Sequence, residues 1–176
     1  KEIEKKAIEF VKGHGSNAKV LKGWGMTEIA SCGSFTKTDA KNKLGSVGIP
    51  LSKNIVKVLP RLNDPEKRYD IDSEELHYGE KGTAFIYSKS RTAGYYNNQE
   101  ATDKIMYTDK DGRVWINTGD IFMIDADGYM FFEGREKRVV VRPDGHNIPS
   151  SQIESIAASF EEVELPVVVG SPSRLY

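Results

Sequence analysis

The stretch MYTDKDGRVWINTGDIFMIDADGYMFF, residues 106–132, decides the fold. Two Asp-Gly pairs, Asp111-Gly112 and Asp127-Gly128, sit between β-prone runs. Glycine accepts the positive φ that a tight hairpin turn demands, so each pair predicts a reversal of the chain. The stretch therefore reads as an antiparallel meander with strands near residues 113–117, 121–124 and 129–132. A third pair, Asp144-Gly145, lies between Val139-Val140-Val141 and Asn147-Ile148 and predicts one more hairpin.

Working outward, the β texture extends upstream to Gly45. Val47 and Ile49, then Ile55, Val56 and Val58, then Thr83 to Tyr87, form short alternating or β-branched runs. Residues 61–80 between them carry many acidic side chains and Pro65 and show no period. They read as a solvated surface loop, without the glycine that a calcium loop needs at its turn. At the start, Ile3, Ala7, Phe10 and Val11 recur at helical spacing until Gly13 and Gly15 stop them, and a brief strand is expected at 18–21. Downstream, Pro149 and Ser151 open a helix in which Ser151 and Glu154 form a capping box. Ile153, Ile156, Ala157 and Phe160 make its apolar face, and 163–169 reads as one more strand. The expected class is α+β and β-rich.

The 176 residues are 38% hydrophobic and 29% charged, with a net charge of -1. That balance fits a soluble globular chain. It gives no basic block to track a nucleic-acid backbone and no apolar run near the roughly 20 residues of a membrane helix. A single cysteine, Cys32, excludes a disulfide framework and an all-cysteine zinc site. The chain starts at Lys1 without a signal peptide, so a cytoplasmic internal piece of a longer protein is expected.

Most catalytic constellations are missing. His14, His77 and His146 are dispersed, and Ser31-Cys32-Gly33 lacks the glycine-flanked elbow of a nucleophile. The glycines of 13–18 mimic a dinucleotide fingerprint, but that motif follows a strand and opens a helix, and here the order is reversed. What stands out is Thr27-Glu28 after a glycine-flanked aromatic, Thr118-Gly119-Asp120 after a strand, and Gly134-Arg135. A glycine turn bares backbone N–H groups, a hydroxyl meets a phosphate oxygen, and a carboxylate holds magnesium or the two hydroxyls of a ribose.

In order and spacing, GWGMTE, GYYNNQEAT, WINTGD and GYMFFEGREKRVVVRPDGHNIPSSQIE resemble the later core motifs of the acyl-adenylate-forming enzymes. These include acyl-CoA synthetases, adenylation domains of nonribosomal peptide synthetases, and firefly luciferase. The resemblance implies activation of a small carboxylic acid by magnesium ATP to an acyl-adenylate, then transfer to a thiol such as coenzyme A. It places Trp24 against adenine, Gly25 and Met26 beside it, Thr27 near the α-phosphate and Glu28 on magnesium. Asp120 and Arg135 fall at the ribose, Lys137 at a hinge, and Gly145 at the pantetheine channel, with Arg138 and Arg142 near the phosphates of coenzyme A.

The architecture so implied is the end of a large N-terminal domain over 1–133, with a distorted antiparallel β-barrel subdomain over about 34–133. A hinge at 134–138 and the start of a C-terminal lid at 139–176 follow. The glycine-rich phosphate loop and the catalytic lysine of the family match nothing in this chain, which is therefore expected to be inactive alone. A homodimer of the full-length protein is compatible with the resemblance. The alternatives are a carrier-protein-loading adenylation domain and a degenerate nucleotide-binding homologue.

Overall fold

Every residue of 82–86 is buried, because this run forms a central strand with both of its faces covered. The computed structural model describes residues 2–38, 42–62, 64, 67–136, 139–141, 147–160 and 162–169. In chain order these form α1 (Glu2–Gly13), β1 (Gly23–Trp24), a 3₁₀ turn (Thr27–Ile29), β2 (Ser34–Phe35), β3 (Ile49–Pro50), β4 (Ile55–Leu59) and β5 (Lys81–Tyr87). They continue with α2 (Gln99–Ile105), β6 (Met106–Thr108), β7 (Val114–Ile124), β8 (Met130–Arg135), β9 (Val139–Val141), β10 (Asn147–Pro149) and α3 (Ser150–Ala157). The result is a β-rich α+β fold in which every strand pairing is antiparallel.

The main sheet runs β4-β5-β7-β6, and β8 also pairs with β7. β7 is long enough to hold both: Val114–Ile116 pair with β6 and Asp120–Ile124 pair with β8. The sequence predicts two strands here, 113–117 and 121–124, and the structure joins them into one. The two hairpin turns are built alike. Asp109 Oδ1 accepts the N–H groups of Asp111 and Arg113, and Asp125 Oδ1 accepts those of Asp127 and Tyr129. Gly112 and Gly128 then take the positive φ, at 78° and 80°.

The main sheet carries core on both faces. Leu59, Ile71, Phe85, Tyr107 and Trp115 form one cluster. On the alternate residues of β5, Ala84 packs with Val58, Phe122 and Met130, and Ile86 with Ile29 and Ile116. Trp24 packs against both of these latter groups. The described residues of 61–80 form no helix or strand and are mostly exposed, as a surface loop should be, but Ile71 and Tyr69 lean into the first cluster.

The ends differ more from expectation. No strand forms at 18–21; the strand is β1, two residues later. The helix α1 forms and ends at Gly13, with Gly15 in the following turn at a φ of +67°, but Ile3 and Phe10 stay exposed. It is tied instead by Glu4, whose Oε2 accepts from Lys22 Nζ at 2.7 Å and from the Gly45 N–H at 2.9 Å. The helix α3 starts at Ser150 with Ser151 already inside it, and Glu154 accepts the Val168 N–H at 3.1 Å. Among the described residues its apolar face is not covered: Ile156 is 65% and Phe160 59% exposed, and 163–169 forms no strand. The β9–β10 hairpin is present, while its predicted Asp144-Gly145 turn lies outside the described residues. No described helix is long and apolar enough to cross a membrane.

Candidate functional site

Strand β7 carries a bulge where β5 passes it. Thr83 pairs with Ile121 and Phe85 with Asn117, so a single residue of β5, Ala84, faces three of β7. Gly119 accepts the left-handed φ, +64°, that the bulge imposes. Thr118 closes it: its hydroxyl donates to the Ala84 carbonyl at 2.9 Å and accepts the Asp120 N–H at 3.1 Å. Each residue of Thr118-Gly119-Asp120 thus has a separate physical task, and the outcome is to aim Asp120.

Asp120 is 2% exposed. Its Oδ2 accepts the indole Nε1–H of Trp24 at 2.8 Å, across 96 residues of sequence. Its Oδ1 lies 3.0 Å from Arg135 Nε, close enough for ionic attraction but off the line of a hydrogen bond. Arg135 stands there because it is the register partner of Asp120 on β8. Directly opposed residues of an antiparallel pair present their side chains on one face. Burial pushes the Asp120 carboxyl above the ordinary aspartate range, and the Trp24 hydrogen bond and Arg135 charge pull against that.

The loop after β1 is closed on itself. The Gly33 N–H donates to the Trp24 carbonyl at 2.8 Å and the Ser31 N–H to Met26 at 3.1 Å. A Cβ on Gly25 would lie 1.4 Å from the Ser31 carbonyl oxygen, and one on Gly33 2.5 Å from the Trp24 ring. Only glycine fits either place. An open concavity of about 440 Å³ is lined by Gly25, Met26, Thr27, Ala30 and Ser31. Trp24 itself sits edge-on to Phe122, centroids 5.1 Å apart.

A second motif clasps this loop. Thr92 N–H donates to the Glu28 carbonyl at 2.7 Å, the Ser90 hydroxyl to the Ile29 carbonyl at 3.0 Å, and the Tyr95 hydroxyl to Glu28 Oε1. Tyr95 is held by Thr102, whose Oγ1 accepts the Tyr95 N–H at 2.9 Å and donates to the Asn98 carbonyl. Asn98 caps α2 through the Ala101 N–H. The bond to Glu28 pushes the Tyr95 phenol up to about 12. Behind Arg135, Glu136 accepts from Tyr69 at 2.6 Å and from Thr83. Burial, then that carboxylate, push Tyr69 up to about 12.

Of the residues named from sequence, Trp24, Asp120 and Arg135 are in direct contact. Gly25, Met26 and Thr27 line the concavity, and Glu28 follows on the same turn. Lys137, Arg138, Arg142 and Gly145 lie outside the described residues. Tyr95, Tyr69 and Glu136 were not foreseen; Tyr95 stands inside a recognised motif, whereas nothing near Tyr69 signals its role. His14 bonds the Phe10 carbonyl of its own helix, and Cys32 the Ser34 carbonyl. Among the described residues no three His, Cys, Asp or Glu side chains converge as a metal cage.

No family model matches the chain. It is 34% identical over 151 residues to the probable 4-coumarate–CoA ligase 2 of Dictyostelium discoideum, covering 86% of this chain and 25% of that protein. It is 30% identical over 154 residues to the long-chain-fatty-acid–CoA ligase of Salmonella typhimurium, covering 88% and 25%. Its fold matches the O-succinylbenzoate coenzyme A synthetase of Bacillus subtilis solved with AMP, at a TM-score of 0.72 and 23% identity. That match covers 94% of this chain and 31% of the other. The chain thus spans about a quarter of the length of the curated relatives it matches.

Proposed function

The chain belongs to the acyl-adenylate-forming superfamily, and from that premise we propose that it is the nucleotide-binding segment of an AMP-forming acyl-CoA ligase. The observation that carries the reading is the contact of Trp24, Asp120 and Arg135, which come from three separate motifs and meet at one buried carboxylate. On this reading the protein joins a carboxylic acid to ATP with release of pyrophosphate and passes the acyl group to coenzyme A.

Trp24 stacks on adenine, Asp120 and Arg135 hold the ribose, and the Thr27 hydroxyl donates to an α-phosphate oxygen. Magnesium is bound in proteins by one or two carboxylates together with substrate phosphates and water, so a lone Glu28 beside Thr27 fits it. Bound there, the ion would neutralise phosphate charge. The Tyr95 hydroxyl on Oε1 fixes the Glu28 side chain. Catalysis of this kind rests on position and charge neutralisation rather than on a protein nucleophile.

The finer domain reading keeps the same frame. Residues 1–133 close an N-terminal domain with a distorted barrel over about 34–133, 134–138 form a hinge about Lys137, and 139–176 begin a lid. In that lid Gly145 borders the pantetheine channel, with Arg138 and Arg142 toward coenzyme A. A phosphate loop and a catalytic lysine come from outside residues 1–176, so the chain alone binds nucleotide and does not turn over.

The test is calorimetric titration of the chain with AMP, with Asp120→Ala as the comparison. Binding that Asp120→Ala abolishes is expected; no heat from folded chain would overturn the reading. Carboxylate-dependent pyrophosphate release by the chain alone would overturn its expected inactivity.

A further inference from the structure

We propose that Glu136, Tyr69 and Thr83 form a clasp on the back of the main sheet that positions Arg135 for nucleotide. That role rests on the nucleotide reading above and extends it to three residues on the face away from Trp24. Glu136 Oε1 accepts the Tyr69 hydroxyl at 2.6 Å and the Thr83 hydroxyl as well. One carboxylate oxygen has lone pairs for both donors. Thr83 shares its face of β5 with Phe85 and the first cluster, whereas the next residue, Ala84, packs on the Trp24 side. Arg135 and Glu136 are neighbours in the chain that reach opposite faces. Arg135 meets Asp120 beside Trp24, and Glu136 meets Thr83 behind it.

The two donors are held in place without help from Glu136. Thr83 is fully buried and has register partners on both sides, Leu59 and Ile121. The Tyr69 ring stands edge-on to Phe85, centroids 5.0 Å apart. The chain on either side of Tyr69 is tied as well. Arg68 Nη2 donates to the Met106 carbonyl at 3.0 Å with its guanidinium over the Tyr107 ring, and Lys57 Nζ donates to the Ile71 carbonyl at 3.0 Å. Both hydroxyls are therefore preset, and Glu136 is the group they capture. This gives the acidic loop a task, since it delivers Tyr69.

Arg135 needs such a hold. It is the last residue of β8, its pairing with Asp120 is the last of the β7–β8 register, and Glu133 already interrupts that ladder. Its side chain is 60% exposed. Ends of elements fray, and a guanidinium on a frayed end must be ordered again when ligand binds, which costs affinity. The clasp closes one residue beyond Arg135 and supplies that order in advance. Glu136, Tyr69 and Thr83 are thus positioning residues.

The test is a double-mutant cycle read by calorimetric titration with AMP. Tyr69→Phe with Thr83→Val keeps the ring and the side-chain volume and removes both donors. The pair should weaken AMP binding about threefold to tenfold when Arg135 is present, and less than about 1.5-fold in an Arg135→Ala background. General loosening of the fold would weaken both backgrounds alike; that result overturns the proposal, as does no loss in either. Glu136→Ala breaks the clasp from the other side and leaves the two hydroxyls 2.7 Å apart, bonded to each other, so it should fold and reproduce the loss. Glu136→Gln, whose amide oxygen still accepts both hydroxyls, should recover most of it, and a Gln variant as weak as Ala overturns the proposal. A readout without nucleotide keeps the two readings apart. Deuterium uptake at residues 133–136 should rise in Glu136→Ala while β2 and β3 are unchanged; a rise in both regions, or in neither, overturns the clasp alone. An unsubstituted chain that shows this protection yet binds no AMP overturns the nucleotide reading, and the positioning role with it.

Discussion

Replacing Trp24 with phenylalanine keeps an aromatic ring in place and removes the one proton that Asp120 Oδ2 accepts. Among the described residues the buried carboxylate then has no hydrogen bond on either oxygen, because Oδ1 already lacks one. Hydrogen bonds to charged groups contribute about 1.5–3 kcal/mol. The smaller ring also loses contact with Phe122 and Gly33, so the single substitution mixes two effects. A double-mutant cycle with Asp120→Ala separates them, since lost ring contact cancels and the interaction remains. A coupling energy of about 1.5–3 kcal/mol is expected from urea unfolding near neutral pH. The pH dependence has a definite sign. Burial raises the Asp120 pKa in the folded chain above its unfolded value of about 3.9, so ionisation costs stability at neutral pH. That cost fades as pH falls through the raised folded value. Trp24→Phe removes a group that favours the ionised form and raises the folded pKa further. The coupling should therefore be largest near neutral pH and shrink as the solution is acidified. A coupling below about 0.5 kcal/mol, or one equal at both ends of that range, would refute the hydrogen bond as drawn.

Four further outcomes can be checked. Gly119→Ala should cost about 1–2 kcal/mol in a thermal melt, since its φ is +64° but no atom stands within 4 Å of a new Cβ. Gly25→Ala should abolish the cooperative melt, because its Cβ would lie 1.4 Å from the Ser31 carbonyl oxygen; similar losses at the two positions would contradict this. Asp120→Asn should raise stability at neutral pH while weakening AMP binding about tenfold or more. The amide still accepts the indole proton and no charge is buried, so a fall in stability would mean that the Arg135 ion pair outweighs the burial. Glu28→Gln should bring the Tyr95 phenol down from about 12 toward its ordinary value near 10, read by tyrosine NMR; no movement would place that hydroxyl elsewhere.

What the sequence makes legible follows from how locally each feature is determined. The hairpin turns at 109–113 and 125–129 are closed by hydrogen bonds within five residues, so Asp-Gly marks them reliably. The fusion of two expected strands into β7 is not local. It depends on a bulge that Thr118 closes against Ala84, 34 residues away. The burial of Tyr69 and Ile71 likewise depends on Phe85 and Tyr107, which no window over 61–80 contains. An apolar stripe on α1 or α3 reports what a helix is able to bury, and the exposed Phe10 and Ile156 show that the described chain supplies no cover for it. The motif residues were legible as a set, but the bond between Trp24 and Asp120 was not. Reading Trp24 only as a platform for a base missed that an indole, unlike a phenyl ring, carries a proton to give.

The same bond explains why a site so costly in folding terms can persist. A buried carboxylate with one oxygen unpaired is a liability to stability, and burial raises its pKa accordingly. The fold limits that liability without removing it. The bulge fixes the backbone, the indole satisfies one oxygen, and an exposed arginine neutralises the charge while leaving the second oxygen without a hydrogen bond. Were Arg135 bonded squarely to Oδ1, the chain would gain stability, and a ligand hydroxyl would have to break a charge-assisted bond to enter. The off-line geometry of the two opposite charges leaves that oxygen without a hydrogen bond among the described residues. On β8, Glu133 is the extra residue opposite Ile121 and Phe122, and Gly134 takes a φ of +146°. Glu136, held by Tyr69 and Thr83, pins the strand just past Arg135. Bulges on both paired strands thus bracket the Asp120–Arg135 pair, whose charges meet at 3.0 Å without a hydrogen bond at Oδ1.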